Sequence, residues 1–163
     1  MDEKRELLDL LQHSARESTA DIARQLGMEE AAVEALISEL EDEGVIRGYQ
    51  AIVDYDEFGD DERVTAMVEL NVELDRETKY TDISARIAKF PEASDLKLVS
   101  GDYDFAVEVV GDSMHDVSMF VSERIAPIPE VTQTVTHFVM DTYKQRGIEF
   151  GDHTDDDRLS FSP

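Results

Sequence analysis

The chain has 163 residues, with 39 acids against 15 Lys and Arg and a formal net charge of −24, a length that allows one ordinary domain or two small ones around a real core. The absence of Cys excludes disulfides, thiolate metal sites and cysteine nucleophiles, and the absence of an apolar run near about 18 residues excludes a transmembrane helix. The charged start "MDEKRELLDL" lacks the apolar stretch of a signal peptide, so a cytoplasmic location and no membrane partner are expected.

Along the chain the acid excess is even. Residues 1–58 carry 16 acids and 5 bases, residues 59–146 carry 18 and 9, and residues 147–163 carry 5 and 1. A uniform acidic coat with few Lys reads as that of a salt-accumulating halophile, where screening shortens the Debye length to roughly 3 Å or less above 1 M salt. The plainer alternative is an ordinary acidic cytosolic protein.

Three helical segments open the chain. The first has Asp2 as its cap and Leu7, Leu8, Leu10 and Leu11 as its apolar face. The second begins at Ser18 or Thr19, with Asp21 placed for a capping box; it turns Ile22, Ala23 and Leu26 inward and ends at Gly27. The third runs from about Glu29 to Glu43, with Val33, Leu36, Ile37 and Leu40 at i, i+3, i+4, i+7 and Gly44 as its stop. A short Gly-containing turn between helices is a helix-turn-helix signal, which many small helical bundles share. The residues after Gly44 sharpen it: Val45, Ile46, Tyr49, Ala51 and Val53 alternate as a strand leaving the helices, and "DYDEFGDDER" is a polar connection. The expected boundaries are a helix-turn-helix over 1–46, a linking strand and hinge over 47–62, and a second domain over 63–143.

That second domain reads β-α-β-β-α-β. "RVTAMVELNVEL" alternates as a half-buried strand. "TDISARIAKF" is a helix stopped by Pro91. "ASDLKLVS" and "YDFAVEVVG" are strands joined by a tight "SGDYD" turn. "SMHDVSMFVSERI" is the second helix and "VTQTVTHFVM" the last strand. This is the split ferredoxin-like motif. Two helices cover one face of such a sheet, so a second subunit is expected on the other. Residues 144–163 read as an acidic, mobile tail.

The order helix-turn-helix, linking strand, β-α-β-β-α-β domain resembles the Lrp/AsnC (feast/famine) family of transcriptional regulators. The resemblance spans residues 2–143. It is carried by "LLDLLQHSARESTADIARQLGM", "VEALISELEDEGVIRGYQAIVD", "LVSGDYDFAVEVVG" and "IPEVTQTVTHFVM". It implies an α+β chain with a winged-type helix-turn-helix and a ferredoxin-like domain. It further implies binding of promoter DNA, dimers built through the linking strand and sheets, and assembly into tetramers or octamers. A small effector such as an amino acid would bind near the turn, with no other cofactor, and the effector residues are then Ser100, Gly101, Asp102, Tyr103, Asp104, Thr134 and Thr136. Gly101 lets a backbone approach, Asp102 and Asp104 suit an α-ammonium group, and the two threonines share a strand face. The same stretch also reads as a plain hairpin with Asp in turn-favouring positions.

One feature departs from the family. Between Glu29 and Ile46 there are seven acids and no Lys or Arg, and the outward positions of the third helix are Glu30, Glu34, Ala35, Ser38 and Glu41. The DNA-contacting set is then Lys4, Arg5, Arg16, Arg24 and Arg47 for phosphates, Ser18 and Thr19 at the second helix, and Glu30, Glu34 and Ser38 on the third, with cations bridging the carboxylates to phosphates. A protein contacting about six phosphates loses roughly seven decades of affinity between 0.1 and 2 M salt, so basic patches have little value in a salty cytoplasm. The alternatives are a vestigial helix-turn-helix with a ligand- or partner-binding role, and an enzyme resembling the siroheme decarboxylases, for which His115 and His137 are the candidates. No G-x-G-x-x-G, P-loop or H-E-x-x-H occurs, and "DHTDDD" reads as solvated tail rather than as a cation loop. No catalytic or metal-ligating residue is expected.

Overall fold

The computed structural model describes residues 3–59 and 63–150 and divides the chain into two compact units, Met1–Ala51 and Ile52–Pro163. The first unit holds α1 (Glu3–His13), α2 (Thr19–Leu26) and α3 (Glu30–Asp42). The expected Asp2 cap lies outside the described residues. Ser18 caps α2: its Oγ accepts from the Asp21 amide at 3.1 Å and donates to the Asp21 carboxylate at 2.7 Å. Gly27 and Gly44 close α2 and α3 with φ of 67° and 68°. Leu7, Ile22, Ala23, Val33 and Leu40 form the core, with Leu10, Leu26, Leu36 and Ile37 packed on it. Each fully buried Leu, Ile or Val there contributes about 1.5–3 kcal/mol. The helical periodicity thus places three short helices around a small core that none of them could bury alone.

The linking segment differs from expectation. Residues 46–54 form no strand, and neither sheet among the described residues pairs with them. Alternation of apolar residues favours an extended backbone, but a ladder also needs a neighbouring strand, and no described strand lies in register with this segment. The polar connection beyond it contains a short helix, α4 (Tyr55–Phe58), whose Glu57 amide donates to the Asp54 carboxylate at 3.2 Å. The Arg63 guanidinium lies over the Tyr55 ring at 4.2 Å.

The second unit runs β1 (Val64–Val72), α5 (Tyr80–Ile87), β2 (Ala93–Leu98), β3 (Phe105–Gly111), α6 (Met114–Phe120) and β4 (Val131–Phe138). The strands make one antiparallel sheet in the order β2-β3-β1-β4, the split motif read from the sequence. Ala66, Val68, Leu70, Phe105, Val107 and Val109 pack against Ile83, Ile87, Val117, Phe120 and Ile125 of the helical layer, all buried. Directly opposed residues of an antiparallel pair share a face. The other face of the sheet therefore carries Thr65, Met67, Glu69, Asn71, Ala106, Glu108, Val110, Gln133, Val135 and His137.

Two further expectations change. The second helix of this unit is not α-helical to its end: Val121–Ile125 is a π-helical turn with Val121 and Ile125 both buried. Apolar residues at i and i+4 suit either geometry, so their spacing does not separate the two. The tail, expected to be mobile from residue 144, begins with a hairpin of β5 (Lys144–Gln145) and β6 (Ile148–Glu149). Its turn places Arg146 at φ 48° and Gly147 at φ 88°, the double left-handed conformation of a two-residue hairpin loop, which Gly adopts without strain. Residues 151–163, including "DHTDDD", lie outside the described residues. No helix among the described residues is long and apolar enough to cross a membrane.

Candidate functional site

The first candidate surface is on the helical unit. Exposed positions of α3 include Glu30, Glu34, Ala35, Ser38 and Glu41, while Val33 and Leu40 are buried. Several of its carboxylates are engaged within the unit. The Thr19 hydroxyl donates to Glu30 at 2.9 Å, and the Tyr49 hydroxyl donates to Glu41 at 2.9 Å. The Lys4 ammonium lies 3.0 Å from Glu39 and 3.4 Å from Glu43, tying α1 to the end of α3. The Glu39 hydrogen bond, with the charges of Glu39 and Glu43 behind it, holds the Lys4 pKa above its ordinary value, so this cation is charged and already occupied.

The bases divide in the same way. Arg24 is paired with Asp21 of its own helix. The hydrogen bond from Ser18, followed by the Arg24 charge, holds the Asp21 carboxyl below the usual carboxylate range. Arg5, Arg16 and Arg47 are exposed and make no hydrogen bond or ion pair among the described residues. The Arg47 guanidinium lies beside Gly44, just past the end of α3. Of the ten residues read as DNA-contacting, Arg5, Arg16, Arg47, Glu34 and Ser38 are unengaged. Lys4, Thr19, Arg24 and Glu30 are committed to neighbours, and Ser18 is committed to its cap.

The second candidate is the turn Val99–Asp104. It is held by β1: the Asp104 amide donates to the Leu70 carbonyl at 2.9 Å, the Asn71 side-chain amide donates to the Asp102 carbonyl at 2.8 Å, and the Val72 amide donates to the Asp104 carboxylate at 2.8 Å. The Tyr80 hydroxyl also donates to that carboxylate, at 3.3 Å, and the negative charge of Asp104 pushes the Tyr80 phenol pKa up. Asp104 is therefore part of the scaffold, whereas the Asp102 carboxylate is exposed with no partner among the described residues. Ser100 and Gly101 are exposed, Gly101 has φ 143° with open space where a Cβ would stand, and Tyr103 is half-buried.

Thr134 and Thr136 do share a face of β4. Their partners Leu70 and Val68 belong to the core, so the two hydroxyls lie on the helix-covered side and are half-buried there. His137 is on the opposite face, 3.3 Å from Glu69, and His115 is exposed on α6. The sequence assigns no site contact to Tyr49, Glu39, Glu43, Asn71, Val72 or Tyr80. Each meets its partner across 8 to 39 residues of chain, and no local motif announces such contacts.

A three-helix unit with a Gly-turned second and third helix, followed by a ferredoxin-like sheet with a buttressed turn, defines a helix-turn-helix regulator carrying a ligand-binding domain. Comparison with known proteins agrees. A winged helix-turn-helix DNA-binding domain matches residues 2–47, and the Lrp/AsnC ligand binding domain matches residues 65–148. The HTH-type transcriptional regulator YugG of Bacillus subtilis is 35% identical over 158 residues, covering 97% of this chain and 95% of its own.

Among solved structures, an AsnC family regulator from Agrobacterium tumefaciens superposes with a TM-score of 0.69 at 27% identity, covering 89% of this chain and 94% of its own. The Neisseria meningitidis regulator NMB0573, solved with L-Met, shares the fold: TM-score 0.68, 20% identity, 89% of this chain and 92% of its own. The chain belongs to the Lrp/AsnC family of DNA-binding transcriptional regulators. These relatives are regulators and not enzymes, which sets aside the tetrapyrrole reading of His115 and His137. They come from Bacillus, Agrobacterium and Neisseria and lend no support to a halophilic origin.

Proposed function

We propose that the chain binds promoter DNA through Arg5, Arg16, Arg47 and the outer face of α3, as a cytoplasmic dimer or larger assembly whose second unit responds to an amino acid. The observation that carries this reading is the sorting of charge in the helical unit. Glu30, Glu39, Glu41 and Glu43 are drawn to Thr19, Tyr49 and Lys4, and three arginines remain open for phosphates. That sorting favours a working DNA surface over a vestigial one.

The assembly would use the extended segment 46–54 and the uncovered sheet face around Met67 and Val135, with tetramers or octamers built on that dimer. The hinge would lie within 47–62 and the effector domain within 63–143. The effector would sit against Ser100, Gly101, Asp102 and Tyr103. Asp102 would receive its ammonium and open turn amides its carboxylate, while Asp104 shapes the turn. The L-Met complex of NMB0573 supports an amino acid as the ligand class. An effector acts only by differential affinity for two states, and a change in the spacing of paired DNA-binding heads supplies those states. The acidic coat suits a salt-rich cytoplasm.

The test is assembly and DNA retardation with each of the twenty amino acids. The reading expects at least one to shift the oligomer distribution and promoter affinity together in the native chain and not in Asp102→Ala. A set in which none changes either property removes the effector half of the proposal.

A further inference from the structure

Successive residues of an α-helix are rotated by about 100°. With the core stripe of α3 set by Val33, Leu36, Ile37 and Leu40, the crest opposite is Ala31, Ala35 and Ser38, followed by Asp42 in the last turn. The glutamates flank this crest, with Glu30, Glu34 and Glu41 on one side and Glu39 and Glu43 on the other. Four of these five are engaged: Glu30 by Thr19, Glu41 by Tyr49, and Glu39 and Glu43 by Lys4. Glu34 has no partner among the described residues, and it lies in the N-terminal half of the helix, the half that reaches base edges when such a helix enters the major groove.

We propose that Glu34 is the specificity-determining residue of this helix, its carboxylate accepting a hydrogen bond from the N4 amino group of a cytosine in the major groove. The inference rests on the DNA-binding reading above. A carboxylate is a pure acceptor, so it is repelled by the acceptor edges of guanine and by thymine O4. Adenine offers an amino group but sets the acceptor N7 beside it, whereas the neighbour of cytosine N4 is a C–H, leaving cytosine as the favoured partner. The small side chains of Ala31 and Ala35 allow the helix close to the groove floor, and the open arginines offset the repulsion between Glu34 and the phosphates. An acidic recognition helix thereby becomes a discriminating one, since guanine and thymine leave a desolvated carboxylate without a donor and adenine sets the acceptor N7 against it.

The experiment is site selection from randomised duplexes by the full chain, followed by affinities for the selected site and its single-base variants. The native chain is expected to prefer cytosine about tenfold or more at one position of each half-site. Glu34→Ala should level that position alone, and Glu34→Gln should move the preference to adenine, whose N6 and N7 match a carboxamide. Glu34 is exposed, so both variants should keep the native helical signal and melting temperature. Native base preferences at every position in both variants overturn the proposal while DNA binding stands. A native chain that selects no sequence at any salt overturns it together with the DNA-binding reading.

Discussion

The helical unit and the sheet unit handle their carboxylates alike and use them to opposite ends. In the helical unit Glu30, Glu39, Glu41 and Glu43 are engaged with Thr19, Tyr49 and Lys4, and Arg5, Arg16 and Arg47 stay open together with the α3 acids Glu34 and Asp42. At the turn of the sheet unit Asp104 is bound into the scaffold by Val72 and Tyr80, and what stays open is anionic: Asp102. Formal charge is negative in both regions, yet the helical unit keeps open arginines as well as open carboxylates, whereas the turn keeps only a carboxylate open. Net charge therefore describes solubility and screening, while function follows the unpartnered groups.

The contrast between Asp102 and Asp104 gives the largest expected effect. Asp104→Ala strips the partner from the Val72 amide and the Tyr80 hydroxyl, and should cost about 2 kcal/mol in urea unfolding. Asp102→Ala should leave the unfolding curve unchanged and abolish any effector response. Equal stability losses in the two variants would erase the distinction between scaffold and site.

In the helical unit the comparison is sharpened by salt. Removing Arg5, Arg16 or Arg47 singly should flatten the slope of log affinity against log salt by about 0.9 each. Lys4→Ala and Arg24→Ala should leave the slope near native, because both cations are spent on internal acids. A slope that falls equally in all five variants would mean that the internal pairs open on DNA.

A smaller effect belongs to the α2 cap. Ser18→Ala should destabilise the helical unit by about 1 kcal/mol. It also removes the hydrogen bond that is the main cause of the lowered Asp21 pKa. The folded pKa of Asp21 lies below its unfolded value. Its contribution is therefore present above the ordinary carboxylate range, and is lost as pH falls through the folded value, below about pH 4. The acid limb of stability should accordingly be shallower in Ser18→Ala. Glu130, whose pKa is lowered chiefly by the Arg86 hydrogen bond, acts with the same sign in the sheet unit, and Glu130→Gln should trim the acid limb there by a similar margin.

Much of this architecture was legible in the sequence because its signals are local. Ser18 with Asp21, Gly27 after Leu26, the period of Val33 to Leu40 and the alternation of Val64 to Val72 each act within a few residues. The linking segment differs because alternation sets only its own backbone, while a strand is a relation between two backbones, and within one chain residues 46–54 meet no partner strand. The 144–149 hairpin was missed because an acidic, aperiodic composition outweighed the Arg-Gly turn inside it. The candidate sites were legible as places and not as chemistry. Nothing near Asp104 in sequence tells of Tyr80, and nothing near Glu43 tells of Lys4. Thr134 and Thr136 were correctly placed on one face, but the alternation of a strand does not say which of its two faces the helices will cover.

The most direct test of the account is the salt dependence of binding to the chain's own promoter fragment, set against a scrambled fragment, in KCl from about 0.2 to 3 M. Three open arginines per head predict specific binding with a slope of about −3 per head, well short of what all five bases would give. A slope near −4.5 per head, or no preference for the promoter at any salt, would contradict the claim that unpartnered charges define this surface.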